Sequence, residues 1–164
     1  MTTSPYLPLN KADMSALIQA IANHPSEQTL GQMVSRAQWE ILGSYMQPTT
    51  LSLSQVLIKQ GDADRTLYFV ESGSLTVHFE DAAGNIRLAT VGAGAVVGEG
   101  GFFSHQARSA TVQAGTNCRL WALTPMRFSE LANRHPQVAL ALAMALGAIM
   151  AKRVVSNRRK LTIT

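Results

Sequence analysis

The residues best suited to chemistry are concentrated in residues 97–112, which read VGEGGFFSHQARSATV. Three glycines within residues 98–101 allow backbone N–H groups to approach a ligand or to adopt positive φ. Residues 102–104 can close as a single helical turn, whose N–H groups attract an anion. Arg108 and Ser109 then precede an alternating run that predicts a strand, which would hold the guanidinium on a rigid element. The segment is therefore predicted to bind phosphate.

Glu99 lies inside this predicted phosphate site, where a carboxylate repels phosphate unless it contacts another group. A sugar hydroxyl is the obvious partner. One acid for a ribose hydroxyl, with Arg108 and Ser109 for a singly charged phosphate, indicates a compact nucleotide that carries few phosphate charges. The sequence lacks the GxxxxGK[ST] pattern of triphosphate-binding loops.

This segment resembles the phosphate-binding cassette of the cyclic nucleotide-binding domain family. The resemblance rests on Gly98 and Glu99, the apolar turn that follows them, and the run from Arg108 to Val112. The spacing from Glu99 to Arg108 matches the short form of that cassette. The resemblance implies that Arg108 pairs with the exocyclic phosphate oxygens and that Glu99 holds the ribose 2′-hydroxyl. It further implies a ligand shell completed by Gly98, Gly100, Gly101, Ser109 and Ala110.

The cassette departs from the family pattern at two places. Gly100 and Gly101 stand where relatives often have a larger apolar residue and alanine, and residues 105–107 replace a turn that contains glycine or proline. Both changes bear on the rigidity of the cassette and on base selectivity. Ser109 stands where many relatives selective for cyclic GMP have threonine, which favours cyclic AMP.

Composition and charge describe one soluble domain with flanking helices. The chain has 164 residues, of which 46% are apolar and 15% are charged. Residues 152–164 hold five of the 14 basic residues and no acidic residue, so the net charge of +4 belongs to the tail. Cys118 has no partner for an internal disulfide, and the first residues lack the pattern of a signal peptide, so a cytoplasmic location is expected.

Hydrophobic periodicity predicts helices first and strands afterwards. Residues 1–10 form an extended arm, a helix runs from Asp13 to Asn23, and a second helix begins after Ser35 and is ended by Pro48. Glycine-punctuated alternation from Thr49 onward predicts eight short strands, and hence a mainly β fold: an eight-stranded antiparallel jelly roll with N-terminal helices and a long C-terminal helix. The predicted division of the chain is 1–48, 49–125 and 126–164.

The C-terminal helix is the predicted output element. After a short helix over 126–132, residues 138–151 form fourteen positions without a polar side chain, which is too short for a membrane span. A helix of these residues is apolar nearly all the way round, which fits either a buried core helix or a homodimer seam. The resemblance implies that Phe102 or Phe103 presses on this helix as the coupling residue. Two basic residues of the same helix could form a lid over the ligand, namely Lys152 and Arg153.

These features favour a non-enzymatic regulatory domain that binds cyclic AMP, or cyclic GMP, and signals through its C-terminal helix. One alternative is the sensor half of a transcription factor like the catabolite activator. No DNA binding by this chain itself is expected, because no helix-turn-helix follows the C-terminal helix. The chain would therefore act through a partner effector. Another is a degenerate domain used only for protein interaction. A metal-dependent enzyme would need clustered ligands, whereas the four histidines, His24, His78, His105 and His135, are scattered.

Overall fold

The computed structural model describes residues 13–25 and 28–161, with residue 28 and residues 157–161 described by their backbone alone. The predicted arm over residues 1–10 lies outside these residues. In the described part, the helices are α1 Ser15–Asn23, α2 Gln28–Met33, α3 Arg36–Gly43, α4 Glu99–Ser104, α5 Pro125–Arg134 and α6 Pro136–Leu161. The strands are β1 Gln47–Leu51, β2 Val56–Ile58, β3 Leu67–Ser72, β4 Leu75–Glu80, β5 Ile86–Val91, β6 Val96–Val97, β7 Thr111–Ala114 and β8 Cys118–Leu123.

The strands form two four-stranded sheets with the orders β1-β8-β3-β6 and β2-β7-β4-β5, and neighbouring strands are antiparallel. This arrangement confirms the predicted jelly roll. Buried apolar side chains from both sheets, including Val70, Leu75, Val112 and Leu120, pack between them. The register of β4 with β5 and β7 places Val77 beside Ala89 and Val112, so one face of the second sheet is lined by small apolar groups.

A second core lies between the helices and the β1-β8-β3-β6 sheet. It unites α1, α2, α3, α5 and α6 with side chains of the sheet and of α4, among them Trp39, Phe69, Phe102 and Trp121. Trp39 and Phe69 meet edge to face with their ring centroids 5.5 Å apart. The helices therefore cover one outer face of the jelly roll and fix the elements that carry the site.

The N-terminal helices match the sequence pattern in part. Leu17 and Ile21 are fully buried, as the periodicity of α1 predicted. Ser35 caps α3, also as predicted, and the structure adds a capping box with Gln38. The predicted end of this helix at Pro48 is wrong, because the helix stops at Gly43 and the chain turns into β1. Pro48 lies in that edge strand, opposite Trp121, where a missing N–H is tolerated.

The helix α6 is longer than the apolar run that predicted it. One face is buried in the second core, through residues such as Leu142, Ala145, Leu146 and Ile149. From Pro136 to Ser156 it also has the length and hydropathy of a membrane span, with a mean hydropathy of 1.9 over its most apolar window. The sequence argument from length was therefore insufficient, since it counted only residues 138–151. A third of this window is buried, and the helix packs on α2, α3 and α5.

Candidate functional site

A cavity of 610 Å³ lies beside the predicted cassette, which is a size typical of small-molecule sites. Its apolar wall comes from the facing strands, including Ile58, Val77, Ala89 and Val112. Its polar side is formed by residues 98–101 and by Arg108, Ser109 and Ala110. The structure therefore brings together every residue that was predicted for the ligand shell. Ser109 is exposed at this wall, and Ala110 is partly buried just before β7 begins.

Gly98 sets the geometry of the cassette. It follows β6 directly, has φ +85° and precedes the first residue of α4. A Cβ atom at this position would lie 2.7 Å from the carbonyl oxygen of Thr66 and 2.8 Å from Nη1 of Arg108. Only glycine accommodates both this backbone conformation and these contacts.

Arg108 is buried, with 4% of its surface exposed. Its Nη2 group donates to Asp64 Oδ2 at 2.7 Å and to the Thr66 carbonyl at 2.6 Å, and Nη1 donates to the Gly98 carbonyl at 2.9 Å. Its buried Nε has no hydrogen-bond partner among the described residues. A buried donor without a partner is costly and uncommon, so this Nε group marks a position at which an acceptor is lacking.

The backbone of Arg108 is held by the turn that follows β2. Its N–H donates to the Asp62 carbonyl at 2.8 Å, and its carbonyl accepts from the Gly61 N–H at 2.8 Å. Gly61 and Asp62 thus fix the position of the guanidinium. They belong to the sequence KQGD at residues 59–62, which on its own is a weak turn signal.

Asp64 is the ion-pair partner of Arg108 and is half exposed. Burial raises the pKa of the Asp64 carboxyl, but the hydrogen bond and charge of Arg108, together with the bonds from Thr66, hold this pKa below its usual value. The carboxylate is therefore ionised at neutral pH. The sequence analysis did not identify Asp64, although an acid close after the Gly61 turn was the available signal.

Glu99 contacts the C-terminal helix. Its Oε1 accepts from Arg153 Nη1 at 2.5 Å, and Arg153 Nη2 donates to the Val96 carbonyl at 3.1 Å. Arg153 lines the cavity, as the predicted lid would. Lys152 does not line it, because its Nζ donates to Thr29 Oγ1 in α2 at 2.6 Å.

The two phenylalanines of α4 have different environments. Phe102 is 5% exposed and belongs to the core that contains α6, and its ring packs edge to face on Phe128 of α5 at 5.3 Å. Phe103 is 38% exposed. Of the two residues proposed for coupling, the structure places Phe102 in the core between the cassette and the C-terminal helices.

Two further residues of the site were missed from sequence. Arg65 donates to the carbonyls of Gly101 and Phe102, at 3.4 and 3.2 Å, and so caps the last turn of α4 together with His105, which has φ +59°. His24, just beyond α1, lines the cavity. Neither residue lies near the cassette in sequence, so only the fold brings them to it.

Metal chemistry has no support in the described residues, where no group of three or more His, Cys, Asp or Glu side chains is placed to hold a metal ion. The polar groups of the cavity are instead suited to one anion and one hydroxyl.

Known proteins that are similar to this chain share its domain type. The model of the cyclic nucleotide-binding domain family matches residues 48–135. The cAMP-activated global transcriptional regulator CRP of Escherichia coli O6:H1 is 34% identical over 106 residues, which cover 63% of this chain and 49% of that protein. The chain thus spans about half the length of the curated relatives it matches.

Solved structures share the fold. A cyclic nucleotide-binding domain from Methylobacillus flagellatus superimposes with a TM-score of 0.78 at 23% identity, covering 90% of this chain and 84% of that one. The Thermus thermophilus catabolite activator protein gives a TM-score of 0.70 at 27% identity, covering 82% and 62%. With its jelly roll, its cassette and its buried arginine, the chain belongs to the cyclic nucleotide-binding domain family.

Proposed function

We propose that the chain is a non-enzymatic regulatory domain that binds a cyclic mononucleotide, with cyclic AMP as the preferred ligand. The observation that carries this proposal is the buried guanidinium of Arg108, which lies beside the glycine turn of the cavity with its Nε lacking a partner in the described structure. A singly charged phosphate supplies an acceptor for this Nε group and a negative charge for the guanidinium. We expect no metal to take part.

The same cavity also offers groups suited to the sugar and the base of the nucleotide. Glu99 is placed to accept a hydrogen bond from the ribose 2′-hydroxyl, and the apolar wall on β4 and β5 suits a purine ring. Ser109 and the cAMP-activated relative favour cyclic AMP over cyclic GMP. The phosphate would compete with Asp64 for Arg108, and the ribose would compete with Arg153 for Glu99. Each of these ion pairs occupies a side chain that the proposed ligand contacts.

Signalling is proposed to run through α6. Arg153 connects that helix to Glu99 and to the Val96 carbonyl, while Phe102 lies in the core that α6 shares. A ligand shifts a conformational equilibrium only if it binds one arrangement more tightly. Engagement of Glu99 by a ribose changes the ion pair that holds α6, which provides such a difference.

The exposed face of α6 supports a homodimer. Leu140, Met144, Gly147, Ala151 and Val154 follow a four-three spacing and are all exposed, and they are called the α6 seam below. This spacing is that of a two-stranded coiled coil. We propose that the domain dimerises through the α6 seam in the cytoplasm and acts on an effector. In the alternative arrangement, the chain is the sensor half of a transcription factor and the effector is its DNA-binding domain.

A domain that has lost ligand binding is the second candidate. It is favoured by the fact that Arg108 and Glu99 already have protein partners, in Asp64 and Arg153. In that case the ion pairs would be structural, and the α6 seam would be the functional surface.

Calorimetric titration of cyclic AMP and cyclic GMP tests the proposal. We expect binding to the wild type and a loss of at least about tenfold in Arg108→Lys, which keeps the charge but loses the fork. Arg119→Lys is the matched control, since Arg119 lies exposed on β8 outside the cavity. Thermal unfolding verifies that each variant is folded. Absence of heat from folded wild type, or equal affinity in Arg108→Lys, would favour the second candidate.

A further inference from the structure

His24 lies in the wall of the cavity although it comes from the N-terminal helices. It is the residue directly after α1 and is half-buried. It lines the same cavity as Arg108 and Glu99. Resting on the function proposed above, the question is which part of a bound nucleotide an imidazole at this position contacts.

The other polar groups of the cavity limit the answer. Within the described residues, its polar or charged side chains are His24, Thr90, Glu99, Arg108, Ser109 and Arg153. Arg108 and Ser109 are assigned to phosphate and Glu99 to the ribose. Thr90 pairs with Thr76, on the opposite face of the sheet from Val77 and Ala89, so its side chain points away from the cavity wall that these two form. The base is left with His24 and Arg153.

The backbone of His24 is held firmly. Leu17 and Ile21 anchor α1 in the core with 0% exposure. The last turn of α1 packs on Gly94, where an added Cβ atom would lie 2.3 Å from the Ala20 carbonyl oxygen and 2.9 Å from the His24 Cβ atom. Gly94 is itself tied to β3 through a 2.7 Å hydrogen bond to the Val70 carbonyl. The imidazole is therefore mounted against residues 92–95, two of which, Gly92 and Ala95, also line the cavity.

The two remaining side chains differ in what they can recognise. The guanidinium of Arg153 only donates, and alone it would favour guanine, whose N7 and O6 are both acceptors. A neutral imidazole carries one donor and one acceptor, so it can accept from the amino group of adenine. We propose that His24 contacts the purine base of the bound cyclic nucleotide and favours adenine over guanine, which makes the N-terminal helices part of the ligand site.

Affinities for cyclic AMP and cyclic GMP, measured by calorimetry on the full chain, test this proposal. We expect His24→Ala to lower the affinity for cyclic AMP by about threefold to tenfold and to lower that for cyclic GMP less. His24→Gln, which keeps one donor and one acceptor, restores part of the ratio. His78→Ala is the matched control, because His78 lies on the face of β4 opposite Val77 and outside the cavity lining. It should change neither affinity.

A ratio of affinities separates this role from a structural one, since general loosening of the pocket weakens both ligands alike. The ring resonances of His24 in the wild type give a second readout that needs no variant, and they should shift on saturation with cyclic AMP. Equal losses for both nucleotides, or no loss together with an unshifted ring, would overturn the inference while leaving the proposed function intact. Wild-type protein that binds neither nucleotide would overturn both.

Discussion

Asp64 is half exposed and forms an ion pair with the guanidinium that we propose binds the phosphate, so the two anions would compete for Arg108. Its Oδ2 lies 2.7 Å from Arg108 Nη2, so its negative charge also repels an incoming phosphate. We expect Asp64→Asn to raise the affinity for cyclic AMP by about threefold to tenfold, because one competing charge is removed. Titration calorimetry at neutral pH checks this. An unchanged or weaker affinity would mean that Asp64 orients Arg108 for the ligand and does not compete with it.

The same carboxylate gives the fold a pH dependence. Since the Asp64 pKa is lower in the folded state than the ordinary 3.8, its contribution to stability is complete above that value and is lost as the pH falls through the folded pKa. After allowance for its half exposure, Asp64→Asn should cost about 1 kcal/mol of unfolding free energy at neutral pH. Urea denaturation should show the difference in unfolding free energy declining as the pH falls below 3.8. A difference that stays constant as the pH falls well below 3.8 would contradict the ion pair.

Gly98 and Gly100 form a matched pair for testing the cassette. Gly98→Ala should destabilise the fold by about 2 kcal/mol or more, because alanine must adopt positive φ and displace Thr66 or Arg108. Gly100 has an open surround, with nothing within 4 Å of an added Cβ atom. Gly100→Ala should therefore raise stability by about 0.5 kcal/mol. Thermal unfolding measures the stability of both variants, and calorimetry measures their affinity for cyclic AMP. Equal changes in stability would show that the positive φ of Gly98 does not restrict this position to glycine.

The local sequence pattern and the family resemblance together predicted residues that line the cavity, among them Gly98, Glu99 and Arg108. The residues that hold these side chains were not predictable in the same way. Asp64 is 44 positions from Arg108, and His24 reaches the cavity only because α1 packs on Gly94. Partners that tertiary packing selects leave no periodic or spacing signal in the chain.

At the scale of elements, an ion pair between Glu99 at the start of α4 and Arg153 of α6 connects the site to the C-terminal helix. A double-mutant cycle with Glu99→Gln and Arg153→Gln should give a coupling of about 1 kcal/mol, because both side chains are partly buried. The exposed pair of Arg36 and Glu40 in α3 is the control cycle, with an expected coupling below about 0.5 kcal/mol. Saturating cyclic AMP should reduce only the first coupling. Additive effects at Glu99 and Arg153 would remove the proposed route.

Element boundaries show what sequence periodicity can and cannot determine. The eight strands and the Ser35 cap were predicted, because glycine turns and a side-chain cap are local signals. The helix α2 was missed, since six residues with a central Gly31 carry little periodicity and the helix depends on packing against α6. The end of α3 was placed too late because Pro48 was read as a helix stop, although it lies in an edge strand.

In the described part of the molecule there are two cores, and α6 belongs to one of them. Its buried face completes the core shared with the helices and the β1-β8-β3-β6 sheet. The α6 seam accounts for apolar residues on its exposed face, with Leu140, Met144 and Val154 at 63%, 57% and 52% exposure. Because exposed apolar residues at this spacing are typical of a helix–helix interface, a second copy of the chain is the simplest occupant.

Disruption of the α6 seam should therefore change the size of the particle without changing its fold. Met144→Glu places two like charges together in a parallel seam, so we expect the wild type to be dimeric by light scattering and the variant to be monomeric. Met126→Glu is the matched control, since Met126 is 72% exposed on α5 and outside the α6 seam, and it should remain dimeric. A monomeric wild type would leave α6 as a lid alone. If binding and dimerisation are coupled through Arg153, cyclic AMP must shift the dimer equilibrium by the same factor by which dimerisation shifts its affinity.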